Sequence, residues 1–136
     1  MSENFEKGIK IFEEVYGPEQ AQGLRSFVDG GEGFGVLQAQ WSMEWPFGQV
    51  WTREEQMARR DRSLAVLGMM IGLRSFEEIR YHTKMGIANG LTRDEIQEVF
   101  YSALPYCGFP IANTAKSAML AAFKDLDEAA APETAK

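Results

Sequence analysis

Apolar positions recur at spacings of three and four along most of the chain, which is the period of amphipathic α-helices. The pattern predicts helices over residues 5–16, 18–28, 34–45, 54–73, 76–89, 93–106 and 111–127. Pro46 is expected to end the third helix, because proline has no N–H for the helical hydrogen bond. We find no convincing strand pattern, repeat or internal linker, so the predicted fold class is all-α.

Polar residues mark the ends of the later helices. Ser75 with Glu78, and Thr92 with Glu95, have the spacing of capping boxes, in which two side chains satisfy the free N–H groups of a helix start. Asn89 and the glycine after it form a natural helix C-terminus.

The fourth predicted helix has a charged first half and an apolar second half. Residues 64–73 are apolar on nearly every side except for two glycines, so this stretch must be covered on more than one face. A partner subunit is a plausible cover in a protein this small. The run has ten residues, well short of the roughly 20 needed to span a bilayer, which argues against a membrane protein.

The composition is that of one ordinary globular domain. The chain has 136 residues, 45% of them hydrophobic and 25% charged, which argues against disorder. Its net charge of −6 argues against nucleic-acid binding, which requires clustered Lys and Arg. Cys107 is the only cysteine, so an internal disulfide, a CxxC centre and a multi-cysteine metal site are excluded. Residues 1–10 contain no apolar block typical of a signal peptide, and we expect a soluble, cytoplasmic protein.

His82 is the only histidine and follows Glu78 by four residues, which places both side chains on one helix face. A half-buried imidazole titrating near neutral pH can give or accept a proton. The alternative is a packed histidine that a neighbour satisfies. Arg62, at the edge of the apolar stretch, has the geometry to clamp a carboxylate with two hydrogen bonds. The alternative interpretation of Arg62 is that it belongs to a solvated charged turn.

The remaining sequence features give weaker indications of a functional site. The tryptophans at 41, 45 and 51 surround Pro46, and such clusters are usually core or oligomer interface and only sometimes a pocket wall. One histidine with scattered carboxylates could bind a metal only across subunits, so no metal site is predicted. No Ser–His–acid triad is recognisable.

Five short motifs occur in order between residue 51 and about residue 115. They are Trp51-Thr-Arg53, Arg62-Ser63-Leu64, Glu78-Ile-Arg-Tyr-His82, Asn89-Gly90-Leu-Thr92-Arg-Asp-Glu95-Ile96-Gln-Glu98-Val99 and Tyr106-Cys-Gly108-Phe109-Pro110. In order and spacing they resemble the carboxymuconolactone decarboxylase family. The resemblance implies an alkyl hydroperoxidase D-like fold of about six to seven helices in a single domain. It further implies an N-terminal helical segment (1–50) packing on a family core (51–127), followed by a flexible tail (128–136).

The resemblance also separates two kinds of chemistry. Members similar to alkyl hydroperoxidase D use a CxxC motif before the histidine, but the corresponding positions here hold Ser75 and Glu78, which disfavours a thiol peroxidase. Members similar to 4-carboxymuconolactone decarboxylase lack the CxxC and keep the histidine, as this chain does. By this resemblance the protein is a cofactor-free decarboxylase of a small anionic lactone or cyclic carboxylate in aromatic compound catabolism, assembled as a homo-oligomer, commonly a hexamer or trimer.

The same resemblance assigns the candidate site. His82 is the acid/base residue, Glu78 its partner, and Arg62 lies near a substrate carboxylate. Candidate substrate-binding residues are Arg53, Trp51, Trp45, Tyr106 and Cys107. Residues 54–57 replace the Pro-Gly-Leu-Asp turn that these decarboxylases commonly carry, which leaves the substrate open. The alternatives are a lactone isomerase or hydrolase, or a ligand-binding member without catalysis.

Overall fold

The computed structural model describes residues 1–132, and within them the chain is helical with no strand. Its elements are α1 (Glu3–Tyr16), α2 (Pro18–Gly30), α3 (Val36–Ser42) continued by a π-helical segment (Met43–Val50), α4 (Arg59–Gly72), α5 (Phe76–Ala88), α6 (Arg93–Cys107) and α7 (Phe109–Ala130). The predicted all-α fold with six to seven helices is confirmed. Helix α7 runs three residues past its predicted end, and the last four residues of the predicted tail, 133–136, lie outside the described residues.

The chain divides into two compact units, Met1–Arg59 and a second that begins at Arg60. In the first unit the apolar faces of α1 and α2 enclose a small core around Phe5, Phe12 and Met43. Helix α1 crosses the π-helical segment at backbone contact distance. A Cβ added to Gly8 would overlap the Met43 carbonyl, so glycine permits this crossing.

The predicted helix end at Pro46 is wrong. The helix continues from α3 into the π-helical segment, a helix type characterised by hydrogen bonds from an N–H to the carbonyl five residues earlier. The Trp51 N–H, for example, donates to the Pro46 carbonyl at 2.9 Å. Proline breaks an α-helix largely because its ring meets the carbonyl four residues before it. Pro46 lies inside a π-helical segment, where the α-helical hydrogen-bond pattern behind this rule does not apply.

The predicted start of the fourth helix at residue 54 is also wrong, because α4 begins at Arg59. Residues 51–58 instead form isolated turns, in which the Arg53 N–H donates to Val50 and the Met57 N–H donates to Arg53. The Arg59 guanidinium folds back onto the Glu54 carboxylate at 3.2 Å. The charged stretch is therefore a separate turn, although its residue types are good helix formers.

The second unit packs around an apolar core contributed by all of its helices. Helix α4 buries Leu67 and Ile71 in that core. Helix α7 presents a stripe of buried alanines that leaves room for the neighbouring helices: Ala112, Ala115, Ala118 and Ala122. Charged side chains also link α7 to α5, since Asp125 of α7 accepts hydrogen bonds from Arg80 and Lys84 of α5.

The two predicted capping boxes have different outcomes. The box at Thr92 is confirmed, with both reciprocal hydrogen bonds to Glu95 present, at 3.1 and 3.0 Å. The box at Ser75 is wrong, because Ser75 occupies the N-cap position without a side-chain hydrogen bond to the helix. The Glu78 carboxylate is directed at His82 instead of back to the helix start. Among residues 1–132, no helix is long and apolar enough to cross a membrane.

Candidate functional site

His82 and Glu78 lie together on one face of α5. The His82 Nε2 atom is 3.6 Å from a Glu78 carboxylate oxygen. The His82 side chain is 15% exposed and the Glu78 side chain 55%, so the histidine is mostly buried and the carboxylate faces solvent. The second ring nitrogen of His82, Nδ1, is shielded from solvent. The predicted pairing on one helix face is therefore present in the structure.

Burial controls the charge state of this pair. Burial lowers the pKa of His82 below its ordinary value, and the Glu78 carboxylate opposes that shift with a smaller effect. Burial, together with the same carboxylate, raises the pKa of the neighbouring Tyr81 phenol. The imidazole is therefore neutral at pH 7. It can accept a proton, and once protonated it is a stronger acid than an exposed histidine.

The orientation of His82 follows from how α5 is held. Ile79 and Thr83 are fully buried, and the Thr83 hydroxyl donates to the Ile79 carbonyl at 2.7 Å. Arg80 and Lys84, two residues before and after His82, both bind the Asp125 carboxylate of α7. Residues two apart lie on roughly opposite sides of a helix. The Asp125 contact thus fixes the rotation of α5 and directs His82 away from α7.

The residue after Arg62, Ser63, contacts the C-terminal end of α5. Ser63 is buried, and its hydroxyl accepts a hydrogen bond from the Asn89 side chain at 3.0 Å. Asn89 follows His82 by seven residues, which is about 10 Å along a helix axis. The Nε atom of Arg62 is shielded from solvent. The alternative of a solvated charged turn therefore fits Arg62 poorly, because this side chain is half-buried at the start of α4.

Tyr106 and Cys107, at the end of α6, line a groove of about 210 Å³ between α4 and α6. The groove is apolar, and its other lining residues are Gly68, Ile71, Val99, Ser102 and Ala103. His82 and Glu78 are not part of its lining. The structure thus brings Tyr106 and Cys107 together, but at a different place from the histidine.

The remaining candidates belong to the first unit. Trp51 is buried, Trp45 is exposed on the π-helical segment, and Arg53 is exposed in the irregular stretch after it. They are candidates by the resemblance alone. Within residues 1–132, no three His, Cys, Asp or Glu side chains converge as a metal site would require.

Sequence reasoning missed two contacts that support the site. Asp125 lies 41 residues beyond Lys84, and Ser63 lies 26 residues before Asn89. No local pattern connects residues that far apart. Arg80 and Lys84 are four residues apart and share one helix face, and only the fold shows that Asp125 is their common partner.

Comparisons with known proteins agree with the motif resemblance. The profile of the carboxymuconolactone decarboxylase family matches residues 39–121. The chain is 36% identical over 107 residues to the nitrosuccinic acid decarboxylase npaB of Metarhizium robertsii, covering 78% of this chain and 71% of that protein. It is 28% identical over 125 residues to the 4-carboxymuconolactone decarboxylase of Acinetobacter baylyi, covering 91% of this chain and 90% of that one.

Proposed function

The chain belongs to the carboxymuconolactone decarboxylase family, and from this premise we propose that it is a decarboxylase of a small anionic carboxylate. The observation that carries the proposal is the half-buried His82 with the Glu78 carboxylate 3.6 Å away. Two similar proteins bear the names of decarboxylases that act on different acids. A shared reaction type with a variable substrate is the simplest account of both.

The two acids share one chemical requirement. Loss of CO2 leaves an electron pair on carbon, which must be delocalised and then protonated. In 4-carboxymuconolactone the electron pair spreads to the lactone carbonyl as a dienolate, and in nitrosuccinic acid it spreads into the nitro group. The protein must therefore hold the carboxylate, stabilise the developing negative charge and deliver one proton to carbon.

His82 is suited to the proton transfer. The protonated form of His82, the minor form at pH 7, donates its proton to the carbon that has lost CO2, and the neutral imidazole then takes a new proton from solvent. Glu78 stabilises the charged ring during that cycle, because an opposite charge nearby favours the protonated form. Arg62 binds a substrate oxygen through its guanidinium. This scheme requires no cofactor.

The substrate we propose first is 4-carboxymuconolactone, on the motif resemblance and the relative that matches along nine-tenths of both chains. Nitrosuccinic acid is the second candidate, because the relative named for it is the more similar of these two, at 36% identity.

The test is turnover of each acid by the purified protein, followed by ultraviolet absorbance for the lactone and by CO2 release for both. We expect turnover of one acid, and a loss of about 100-fold or more in kcat on His82→Ala, the size usual for a general acid or base. Glu78→Gln should lower kcat less. Glu77→Gln, an exposed neighbour on the same helix turn, is the matched control and should retain activity.

Retained activity in a folded His82→Ala protein would contradict the role of His82. If neither acid were turned over and a small molecule co-purified with the protein in native mass spectrometry, the ligand-binding alternative would replace the decarboxylase.

A further inference from the structure

A small pocket, the α6–α7 pocket, lies between these two helices of the second unit. Five apolar side chains line most of it: Ile96, Phe100, Met119, Leu120 and Phe123. Phe100 follows Ile96 by four residues, and Phe123 follows Met119 by four, so each helix contributes one face. The pocket has a volume of about 100 Å³. Neither member of the His82–Glu78 pair on α5 lines it, so the pocket is distinct from the candidate site.

Neighbouring residues hold the walls of the α6–α7 pocket in place. Ile96 is fully buried and Met119 is 4% exposed, so both belong to the core of the second unit. The Phe123 ring lies under the Arg93 guanidinium, whose central carbon is 4.7 Å from the ring centroid. Arg93 in turn donates a hydrogen bond to Asp127 at 2.6 Å. A ligand therefore meets a largely preformed surface, which lowers the entropic cost of binding.

The two polar residues that line the pocket are Gln97 of α6 and Lys116 of α7, and both are exposed. Within residues 1–132, no carboxylate oxygen lies within 4 Å of the Lys116 ammonium group. The α7 residues three and four positions from Lys116, at 112, 113, 119 and 120, include no acid. Lys124 of the same helix, by comparison, approaches Glu128 at 3.9 Å. An ammonium group without a carboxylate beside an apolar pocket favours an anionic ligand, because the two charges would pair there.

The acidic residues of α6 closest to Gln97 in the sequence do not line the pocket. Asp94 comes three residues before Gln97, and Glu98 lines a different groove, against α4. The lining thus combines an apolar interior with a single positive charge. That combination suits an anion with one charge and an apolar body, because a second carboxylate would find no cation among the lining residues.

The volume limits the size of the ligand. An apolar cavity of about 150 Å³ binds benzene, so a pocket of about 100 Å³ with exposed residues at its edge fits a chain of about five or six carbons.

We propose that the α6–α7 pocket binds a small aliphatic monocarboxylate. Its chain packs against Phe100, Leu120 and Phe123, and its carboxylate pairs with the Lys116 ammonium group. The Gln97 amide donates a second hydrogen bond to the same carboxylate. This binding does not depend on the decarboxylase reaction, because it uses neither His82 nor Arg62.

Calorimetric titration with sodium hexanoate tests the ligand class. We expect saturable binding with a Kd of about 1 mM or lower, as is usual for a ligand of so few atoms. Acetate has the carboxylate without the chain and should bind at least about tenfold more weakly, because it buries fewer methylene groups. 1-Hexanol has the chain without the charge and should bind about fivefold more weakly, since it cannot pair with an ammonium group.

Two lysines of α7 provide matched variants that locate the ligand. Lys116→Met keeps a side chain of similar length without the charge and should raise the Kd for hexanoate about fivefold. Lys124→Met removes the same charge from an exposed position outside the lining, so the Kd should stay within about twofold of the unmodified protein. Arg62→Met should also leave the Kd unchanged, because Arg62 does not line this pocket.

Four results would overturn the proposal. The first is no saturable binding of hexanoate up to about 10 mM, well above the expected Kd. The second is an affinity for acetate or 1-hexanol equal to that for hexanoate. The third is the same Kd for Lys116→Met and Lys124→Met, with circular dichroism confirming the fold of both. The fourth is a loss of binding on Arg62→Met alone, which would assign the carboxylate to the candidate site. None of these measurements requires turnover, so they are independent of the test of the proposed function.

Discussion

At the scale of single residues, two opposing effects on the pKa set the charge state of His82: its burial and the nearby Glu78 carboxylate. Burial lowers its pKa, and Glu78 partly restores it. Because the chain has one histidine, proton NMR reports this imidazole without assignment. We expect a titration midpoint below the ordinary value of about 6.5. Glu78→Gln should lower the midpoint further, and Glu77→Gln should change it less. A midpoint above 6.5 would contradict the burial of the ring.

The same pKa fixes the direction of two pH dependences. The unfolded chain binds a proton to His82 at higher pH than the folded chain does, so this residue's contribution to stability is intact above about pH 6.5 and declines as the pH falls toward the folded pKa. If His82 donates the proton to carbon, kcat/KM should decline as the pH rises through that folded pKa, because the imidazolium is lost. The kinetic and NMR midpoints of the free protein should then agree. A disagreement of more than one pH unit would assign the kinetic step to another group.

At the scale of helices, the two predicted N-caps form a matched pair. Thr92 accepts a hydrogen bond from the Glu95 N–H, whereas Ser75 occupies the same position on α5 without such a bond. Thr92→Ala should lower the free energy of unfolding by about 1 kcal/mol. Ser75→Ala should change it by less than about half of that. Urea denaturation of both variants measures the difference, and equal losses would contradict the geometry of one of the two helix starts.

The crossing of α1 with the π-helical segment provides a second matched pair. A methyl group on Gly8 would overlap the Met43 carbonyl, whereas one on Gly23 of α2 would meet nothing within 4 Å. Gly8→Ala should therefore destabilise the protein by about 2 kcal/mol or more, as backbone overlap at a packed position does. Gly23→Ala should stabilise it by about 0.5–1 kcal/mol, because alanine is the better helix former. The melting temperatures should accordingly move in opposite directions.

These helices also indicate how far the sequence alone could predict the fold and site. Local signals predicted the helix ends at Gly17, Asn89 and Thr92, since each depends on a few adjacent residues. The helix through Pro46 was missed, because the rule that proline ends a helix holds for α-helical hydrogen bonds and this segment is π-helical. The His82–Glu78 pair could be predicted because it lies within one helix turn. The contacts of Asp125 with α5 could not, because they depend on the packing of α7.

At the scale of the whole molecule, the open question is what covers the outer face of α4. The sequence predicts cover on more than one side of residues 64–73. Within the chain α4 buries Leu67 and Ile71, while Met69 of α4 and Leu73, the residue directly after it, stay 61% and 71% exposed. Covering a Met or Leu side chain fully stabilises by about 1.5–3 kcal/mol. In a symmetric assembly each such contact occurs once per subunit, so covering these two side chains contributes to association in every subunit.

We therefore expect light scattering at micromolar concentration to give a mass of at least twice the 15.3 kDa of one chain. Leu73→Lys should shift the distribution to smaller species, because a desolvated ammonium group disfavours the contact. Gln97→Lys adds the same charge at an exposed polar position of α6 and should leave the mass unchanged. An unmodified protein of 15.3 kDa would show instead that the exposed face of α4 is stable in water, as isolated apolar surface side chains often are.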